Sequence, residues 1–478
     1  MNFNSLEFLI FFPVVYAVHW ILPHRFRWIW LLTASCFFYM SWNPRLIVLL
    51  FLTVFISYLA AIGLERMQNV KRRKGCFAAA VFFCLGTLIC FKYLNFFLEN
   101  LLFLLRLIWK GIPDVQVNLV LPVGISFYTF QTLSYVIDVK RGTIRAEQHL
   151  GYYALYISFF PQLVAGPIER PGNLLVQLRA KRTWCRKDLE EGMRWMLSGF
   201  FRKIAVADVL GIYVNRVFSD LEHANALAIV LAGALFCIQM YCDFAGYSEI
   251  AVGAARMLGI RLMRNFNRPY LSASYAEFFR RWHISLSQWF ADYLYIPLGG
   301  NRKGTGRKIV NTFVVFLLCG LWHGARWTYV LWGAYAAFWI SLESLFLKKK
   351  NWRGWKLWAR RGVMWLLFIP AALLFRAEGG GQLLLIGRQL LVGSMNLHRT
   401  IQVMGIGVTD ACLCLLVVVG MILIGSLTEP EDGRKLSEDT VSYCNRVTVY
   451  GLLVLVILFS ALYLASGKEN AAFAYFQF

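Results

Sequence analysis

Two of the seven histidines lie in polar and aromatic surroundings beside long apolar runs. His323 closes the apolar run 317–322, and His283 lies within the polar, aromatic stretch 280–287. Imidazole accepts and donates protons near neutral pH, so these two positions are the strongest candidates for general acid–base chemistry. A hydrogen-bonded structural role is the alternative for either histidine. The remaining histidines lie in loops or near the end of the first apolar run: His19, His24, His149, His223 and His398.

Two carboxylates, Asp243 and Glu249, lie within the long apolar stretch 227–260. Because a buried carboxylate usually needs a cation or several donors, an ion pair with arginine is the favoured interpretation, and a role in the site is the alternative. The candidate substrate-binding residues are the polar or aromatic neighbours of the two histidines and of these carboxylates: Tyr241, Asp243, Ser285, Gln288 and Trp322.

Signatures of common soluble enzymes do not occur in the sequence. It has no GxSxG elbow and no His followed by Asp four residues later, and the glycine-rich stretch 299–304 is followed by Thr305 where a phosphate loop needs lysine. The eleven cysteines form no CxxC pair, and most of them lie within apolar runs. The sequence therefore predicts neither a disulfide framework nor a metal site.

The composition indicates that these residues are positioned by membrane helices. Of the 478 residues, 59% are hydrophobic and 16% are charged, whereas soluble domains have about 45–50% apolar and about 25% charged residues. Apolar runs long enough to span a bilayer recur along the chain. The net charge of +23 comes largely from short basic stretches between these runs, which indicates membrane topology rather than nucleic-acid binding.

The spacing of the apolar runs predicts an all-α polytopic membrane protein with about 11–14 membrane segments in one domain, residues 1–478. Placing the basic loops 23–27 and 65–75 in the cytoplasm puts the N-terminus outside. Stretch 177–195 is predicted to be an amphipathic helix on the cytoplasmic surface, and the polar stretch 282–298 to be shielded from lipid. The predicted spans are 6–22, 28–42, 46–64, 75–93, 94–109, 119–139, 150–164, 204–217, 227–260, 309–322, 327–346, 363–375, 404–427 and 447–464, with 428–445 as a loop.

Seven motifs occur in a fixed order along the chain and resemble the membrane-bound O-acyltransferase (MBOAT) family. They are LPVGISFYTF at 121–130, FPQLVAGPI at 160–168, YCDFAGYS at 241–248, NFNRPY at 265–270, WHISLS at 282–287, DYLYIPLGGN at 292–301 and GLWHG at 320–324. The resemblance covers the chain from about residue 1 to its closing segment 473–478. It is strongest to the bacterial branch that contains the alginate O-acetylation and teichoic-acid D-alanylation membrane subunits.

The resemblance implies a ring of tilted helices around a central tunnel, with a motif-rich catalytic core at about 119–346 and further spans at 363–464. It implies that His323 is the catalytic histidine and His283 the second functional position. It also implies no bound cofactor, an acyl thioester such as acetyl-CoA as the cytosolic donor, and an extracellular hydroxyl as acceptor. A secreted or membrane-anchored hydrolase-like protein is the implied partner, in the cell membrane of a bacterium.

Three functions remain open on the sequence alone. The first is O-acetylation of an extracellular polysaccharide, which the late pair of spans after residue 400 favours. The second is transfer of D-alanyl or another acyl group from a carrier protein to teichoic acid. The third is transport of a lipid or acyl species without bond chemistry, and lipid or protein acylation is a further alternative.

Overall fold

The computed structural model of the protein describes residues 1–164, 166–347, 352–407, 410 and 441–466, and it contains α-helices and no strand within those residues. In chain order the α-helices are α1 Leu6–Ile21, α2 His24–Met40, α3 Ile47–Arg66, α4 Val70–Leu88, α5 Leu94–Arg106, α6 Ile125–Arg141, α7 Leu150–Ser158, α8 Phe160–Leu163, α9 Pro171–Arg179, α10 Arg186–Phe200, α11 Val209–Ser219, α12 Ala226–Met257, α13 Tyr275–Arg281, α14 Ile284–Phe290, α15 Gly304–His323, α16 Trp327–Phe346, α17 Gly354–Arg376, α18 Gly380–Val392, α19 Leu397–Met404 and α20 Val441–Ser466. Short 3₁₀ turns occupy Pro44–Leu46 and Pro269–Leu271, and π-helical turns occupy Ile89–Tyr93, Phe201–Asp208 and Ala291–Tyr295.

Five of the described helices are long and apolar enough to cross a membrane: Pro44–Arg66, Val70–Arg106, Ala226–Met257, Gly304–His323 and Gly354–Arg376. In a bilayer the backbone polar groups must be satisfied internally, which helices achieve segment by segment. The predicted all-helical polytopic fold is confirmed. The count of 11–14 segments and the ring around a tunnel stay predictions.

The two spans predicted at 75–93 and 94–109 are wrong as separate elements, because helices α4 and α5 form one continuous helix through the π-helical turn Ile89–Tyr93. No proline or glycine occurs at the predicted break. Lys92, next to the predicted break, turns its ammonium into the protein and donates to backbone carbonyl groups. Counting one span in place of two reverses the side of the membrane on which the chain after Arg106 is expected.

The predicted amphipathic helix 177–195 is also wrong as a single element. Helix α9 ends at Arg179 and α10 begins at Arg186, with an extended connection between them. The connection is held by tertiary hydrogen bonds: Arg27 donates to the carbonyl oxygen of Arg182 at 2.7 Å, and the indole of Trp184 donates to Tyr16 at 2.8 Å. These contacts replace helical hydrogen bonds, and they pack the connection against α1 and α2.

Several predicted boundaries move for local reasons. Span 119–139 starts as a helix only at Ile125, because Gly124 has a φ of 73°. Span 150–164 is interrupted by the extended Phe159. The predicted loop 428–445 ends earlier, since α20 begins at Val441. Most of the predicted span 404–427, the first part of that loop and the closing motif 473–478 lie outside the described residues.

The first half of the polar stretch 282–298 packs against protein, whereas Ile296 and Pro297 are exposed, so shielding of the whole stretch from lipid stays a prediction. Helix α14 buries Ser285, Leu286, Trp289 and Phe290. The Trp289 ring stacks on Phe130 with centroids 3.8 Å apart, and its indole N–H donates to the Phe130 carbonyl oxygen at 3.0 Å. This packing against α6 pairs the Trp289 indole N–H, which would be unfavourable if it were left unpaired in lipid.

Helices α15 and α16 approach each other through two glycines. A methyl group at Gly320 would overlap the carbonyl oxygen of Tyr329, and one at Gly333 would overlap that of Phe316. Small residues let membrane helices pack backbone to backbone. Because α15 ends at His323, this contact fixes the position of the histidine relative to α16.

We expect Gly333→Ala to destabilise the protein by about 1–3 kcal/mol, since the added methyl group must push α15 away from α16. The measurement is thermal unfolding in detergent. Gly362→Ala is the matched control, because Gly362 lies in α17 with no atom within 4 Å of an added methyl group. Equal unfolding temperatures for both variants would contradict the close contact.

Candidate active site

His323 is the last residue of α15 and points into an aromatic enclosure. Its ring centroid lies 5.0 Å from that of Trp322 and 5.3 Å from those of Trp332 and Phe375. The side chain is 9% exposed. After it the chain turns sharply at the extended Gly324, where a side chain would overlap the Tyr329 ring. The imidazole is thus held by rigid rings from α15, α16 and α17.

His283 precedes α14 and is fully enclosed, with a backbone φ of 43° and ψ of 56°. This left-handed conformation is uncommon for residues other than glycine and often marks functional sites. The ring packs edge-on to Phe244 at 4.7 Å and lies 6.0 Å from Trp322. Neither ring nitrogen has a hydrogen-bond partner within the described part of the chain. Two donor or acceptor positions are therefore open to a ligand.

The loop before His283 is fixed by Asn265. The Asn265 carbonyl oxygen accepts from Ile284 N–H at 2.9 Å, and its side-chain oxygen accepts from the Ser285 hydroxyl at 2.6 Å. The Ser285 hydroxyl in turn accepts from Ile168 N–H at 3.0 Å. Residues from three of the seven sequence motifs thus meet in one hydrogen-bonded corner, which holds the strained backbone of His283 in place.

Both imidazoles line one cavity of about 260 Å³, which we term the two-histidine cavity. Its wall is largely aromatic and apolar, with Ser287 and Thr312 as polar members. Arg280 and Lys308 also line it, next to the basic stretch 302–308. The structure therefore brings the two histidines together beside positive charge, although they are 40 residues apart in sequence.

Two further cavities reach His323. The lysine cavity, about 250 Å³, is lined by Trp42, Lys92, the turn before α6 and Trp322. The aromatic cavity, about 70 Å³, is lined by side chains of α12, α13, α16 and α17 that include Met240 and Phe368. His323 is common to the walls of all three cavities. His323 is therefore the residue at which the three cavities meet.

The carboxylates of α12 form a separate, buried ion-pair cluster with the π-helical turn Phe201–Asp208. Lys203 Nζ lies 2.8 Å from Asp243 and 2.7 Å from Asp208, and Arg202 lies 3.3 Å from Glu249. Breaking one partner of such a cluster leaves an uncompensated buried charge. The favoured ionic interpretation of Asp243 and Glu249 matches this arrangement, with a lysine as one of the cations.

Comparison with known proteins settles the family. Residues 143–369 match the model of the membrane-bound O-acyltransferase family. A protein named "Probable alginate O-acetylase" from Pseudomonas putida is 37% identical over 384 residues, which cover 79% of this chain and 78% of that protein. The chain belongs to the membrane-bound O-acyltransferase family. It is therefore an acyltransferase and a multi-pass membrane protein.

Other relatives of this acyltransferase have different named acceptors. A peptidoglycan O-acetyltransferase from Helicobacter pylori is 32% identical over 363 residues, covering 69% of this chain and 68% of the relative. A teichoic acid D-alanyltransferase from Bacillus subtilis is 28% identical over 244 residues, covering 48% and 61%. The similarity is lower and shorter toward the D-alanyl enzyme than toward the O-acetylating ones.

The other candidate residues occupy different places around the acyltransferase site. Trp322 lines the lysine cavity and lies between the two imidazoles. Tyr241 accepts a hydrogen bond from Arg202 at 2.6 Å, and its ring lies 6.2 Å from that of Trp282. Ser285 is bound within the Asn265 corner, and Gln288 is exposed. Of the five, only Trp322 lines one of the three cavities.

Lys92 is a residue of the candidate site that the sequence analysis missed. It lines the lysine cavity with His323, and its ammonium donates to the His323 carbonyl oxygen at 3.2 Å. The available signal was a lone lysine within the apolar run 76–105. A charged residue inside a membrane helix is a functional candidate by default.

Proposed function

We propose that this protein transfers an acetyl group from a cytosolic thioester, acetyl-CoA, to hydroxyl groups of an extracellular polysaccharide, through a partner protein. The observation that supports this best is the position of His323 in the walls of three cavities. An acyl transfer needs a donor, an acceptor and an acyl group to meet at one base, and this arrangement offers a place for each. No cofactor enters the proposal.

Charge and chain connectivity support assigning each cavity to one side of the membrane. Arg280 and Lys308 line the two-histidine cavity, and basic stretches favour the cytoplasmic side. Trp42 and Pro122 line the lysine cavity, and each follows a helix that leads away from a basic loop. We infer that the donor enters the two-histidine cavity from the cytoplasm and the acceptor hydroxyl enters the lysine cavity from outside, with the N-terminus outside a bacterial plasma membrane.

In the proposed reaction, neutral His323 removes the proton of the acceptor hydroxyl as its oxygen attacks the thioester carbonyl carbon. His283 donates a hydrogen bond to the developing oxyanion; one such preorganised donor is worth about 3–4 kcal/mol. The new C–O bond forms, the C–S bond breaks, and the proton on His323 passes to the departing thiolate. Aromatic walls keep water from the thioester.

The aromatic cavity favours a short, uncharged acyl group. It holds only a few heavy atoms, and its wall contains phenylalanine, tyrosine, tryptophan, methionine and alanine side chains. Of the residues described, none that lines any of the three cavities is Asp or Glu. The ammonium group of D-alanyl would be buried there without a counter-charge, which is unfavourable. This argues for acetyl and against D-alanyl.

The polymer acceptor rests on the named relatives, which act on alginate or peptidoglycan. We further propose that a hydrolase-like partner protein, secreted or membrane-anchored, receives the acyl group and passes it on to the polymer. A neighbouring gene for such a protein supports this route, whereas genes for an acyl carrier and its adenylating enzyme favour D-alanylation.

The test uses purified protein in liposomes supplied with radiolabelled acetyl-CoA on one side and a soluble polysaccharide on the other. We expect one free CoA thiol per acetyl group transferred. Octanoyl-CoA is expected to react at least about tenfold more slowly, because two or more methylenes cannot fit and each is worth about 1–3 kcal/mol in a pocket. Labelled donor crossing without thiol release would identify a transporter, and faster reaction of a D-alanyl carrier would overturn the acetyl assignment.

A further inference from the structure

Lys92 occupies an unusual place in a long membrane helix. It lies in the π-helical turn Ile89–Tyr93 between α4 and α5. Such turns are rare and frequently occur at functional sites. The side chain leaves the helix toward the protein interior and lines the lysine cavity together with His323.

The ammonium group of Lys92 joins three parts of the chain. It donates to the Trp322 carbonyl oxygen at 2.5 Å, to the His323 carbonyl oxygen at 3.2 Å and to the Ser126 hydroxyl at 3.4 Å. Its three N–H groups therefore have three acceptors. Two of them are the terminal carbonyls of α15, and the third comes from the first turn of α6.

No carboxylate of the described residues lies within ion-pair distance of Lys92. Its charge is compensated by the carbonyl groups at the C-terminus of α15, where the helix dipole is negative. A charged side chain within a membrane segment is unfavourable by itself. The two contacts with the last carbonyl groups of α15 tie Lys92 directly to the residue that ends this helix.

We infer that Lys92 is a positioning residue for acyl transfer: it fixes the backbone of His323 so that the imidazole stays at the junction of the cavities. The inference rests on the proposed function of His323. All three N–H groups of Lys92 are hydrogen-bonded to protein groups. Lys92 therefore acts through His323 and does not bind acetyl-CoA. Its loss is therefore expected to change kcat and to leave the KM for acetyl-CoA nearly unchanged.

The test compares Lys92→Met, Lys92→Arg and Lys74→Met with the wild-type protein in the liposome assay. We expect Lys92→Met to lower kcat by about 10–100-fold per folded molecule, since a displacement near 1 Å can cost about 100-fold. The KM for acetyl-CoA should stay within about twofold, because the donor site lies in the other cavity. Lys74→Met changes an exposed lysine of the same helix and should match the wild type.

Lys92→Arg supplies the conservative variant. A guanidinium can donate to both carbonyl groups, and the lysine cavity leaves room for it. It should recover at least about a tenth of the wild-type kcat, and it keeps the inference testable if Lys92→Met does not fold. A wild-type kcat in Lys92→Met, or a raised KM at unchanged kcat, would overturn the positioning role. Wild-type protein without any transfer would instead refute the proposed function.

Discussion

Replacement of His323 by alanine is expected to lower acyl transfer by about 10²–10⁴-fold per folded molecule, the contribution of a positioned general base. The expectation follows from its place in the walls of all three cavities, where it is the one imidazole that donor and acceptor can both approach. The measurement is the steady-state rate of thiol release from acetyl-CoA in liposomes, normalised to monodisperse protein.

The matched control is His398→Ala. His398 is exposed, and its imidazole shares a hydrogen bond with the side chain of Gln402. It should retain the wild-type rate and unfolding temperature. Transfer at an undiminished rate by folded His323→Ala protein would show that another group removes the proton.

Removal of the His283 imidazole is expected to lower kcat by about 10²–10³-fold, the usual effect of losing one oxyanion donor. The suitable variant is His283→Gly, because the backbone φ of 43° is readily adopted by glycine, whereas alanine would be strained there. The observation behind the prediction is a buried ring whose two nitrogens have no hydrogen-bond partner in the described structure.

His283→Asn separates the two contributions of this residue. Asparagine tolerates the left-handed backbone and keeps a hydrogen-bond donor, so it should retain more kcat than His283→Gly at similar stability. A purely structural histidine would give the opposite pattern: both variants would unfold at lower temperature, and kcat per folded molecule would stay at the wild-type value.

The class of fold was predictable from composition because few backbone structures are stable within a bilayer. Apolar runs of span length must form helices to satisfy their backbone groups. Span 327–346 coincides with α16, and 227–260 differs from α12 by at most three residues at either end. Predicted helix boundaries were wrong where tertiary contacts determine them. At the α9–α10 connection, Arg27 donates a hydrogen bond to the Arg182 carbonyl oxygen, which in a continuous helix would accept from a backbone N–H.

The two histidines could be selected as candidates from the sequence because imidazoles beside apolar runs are uncommon, and the structure places both in the wall of one cavity. Their neighbours could not be selected, since sequence distance does not indicate which side of a helix faces a cavity. Ser285 lies two residues from His283 and is bound to Asn265, while Gln288 in the same helix is exposed. Lys92 lies about 230 residues from His323 and contacts its carbonyl group. Only the fold brings that pair together.

The proposal that acyl transfer takes place between His283 and His323 is tested by a structure of the protein bound to a non-hydrolysable acetyl-CoA analogue. If acyl transfer proceeds as proposed, the acyl carbonyl lies in the two-histidine cavity, about 2.6–3.2 Å from a ring nitrogen of His283, with the methyl group toward the aromatic cavity. An open path from the lysine cavity to the carbonyl carbon beside His323 is also expected. An acyl group bound away from both imidazoles, or a wall between the lysine cavity and His323, would contradict the proposal.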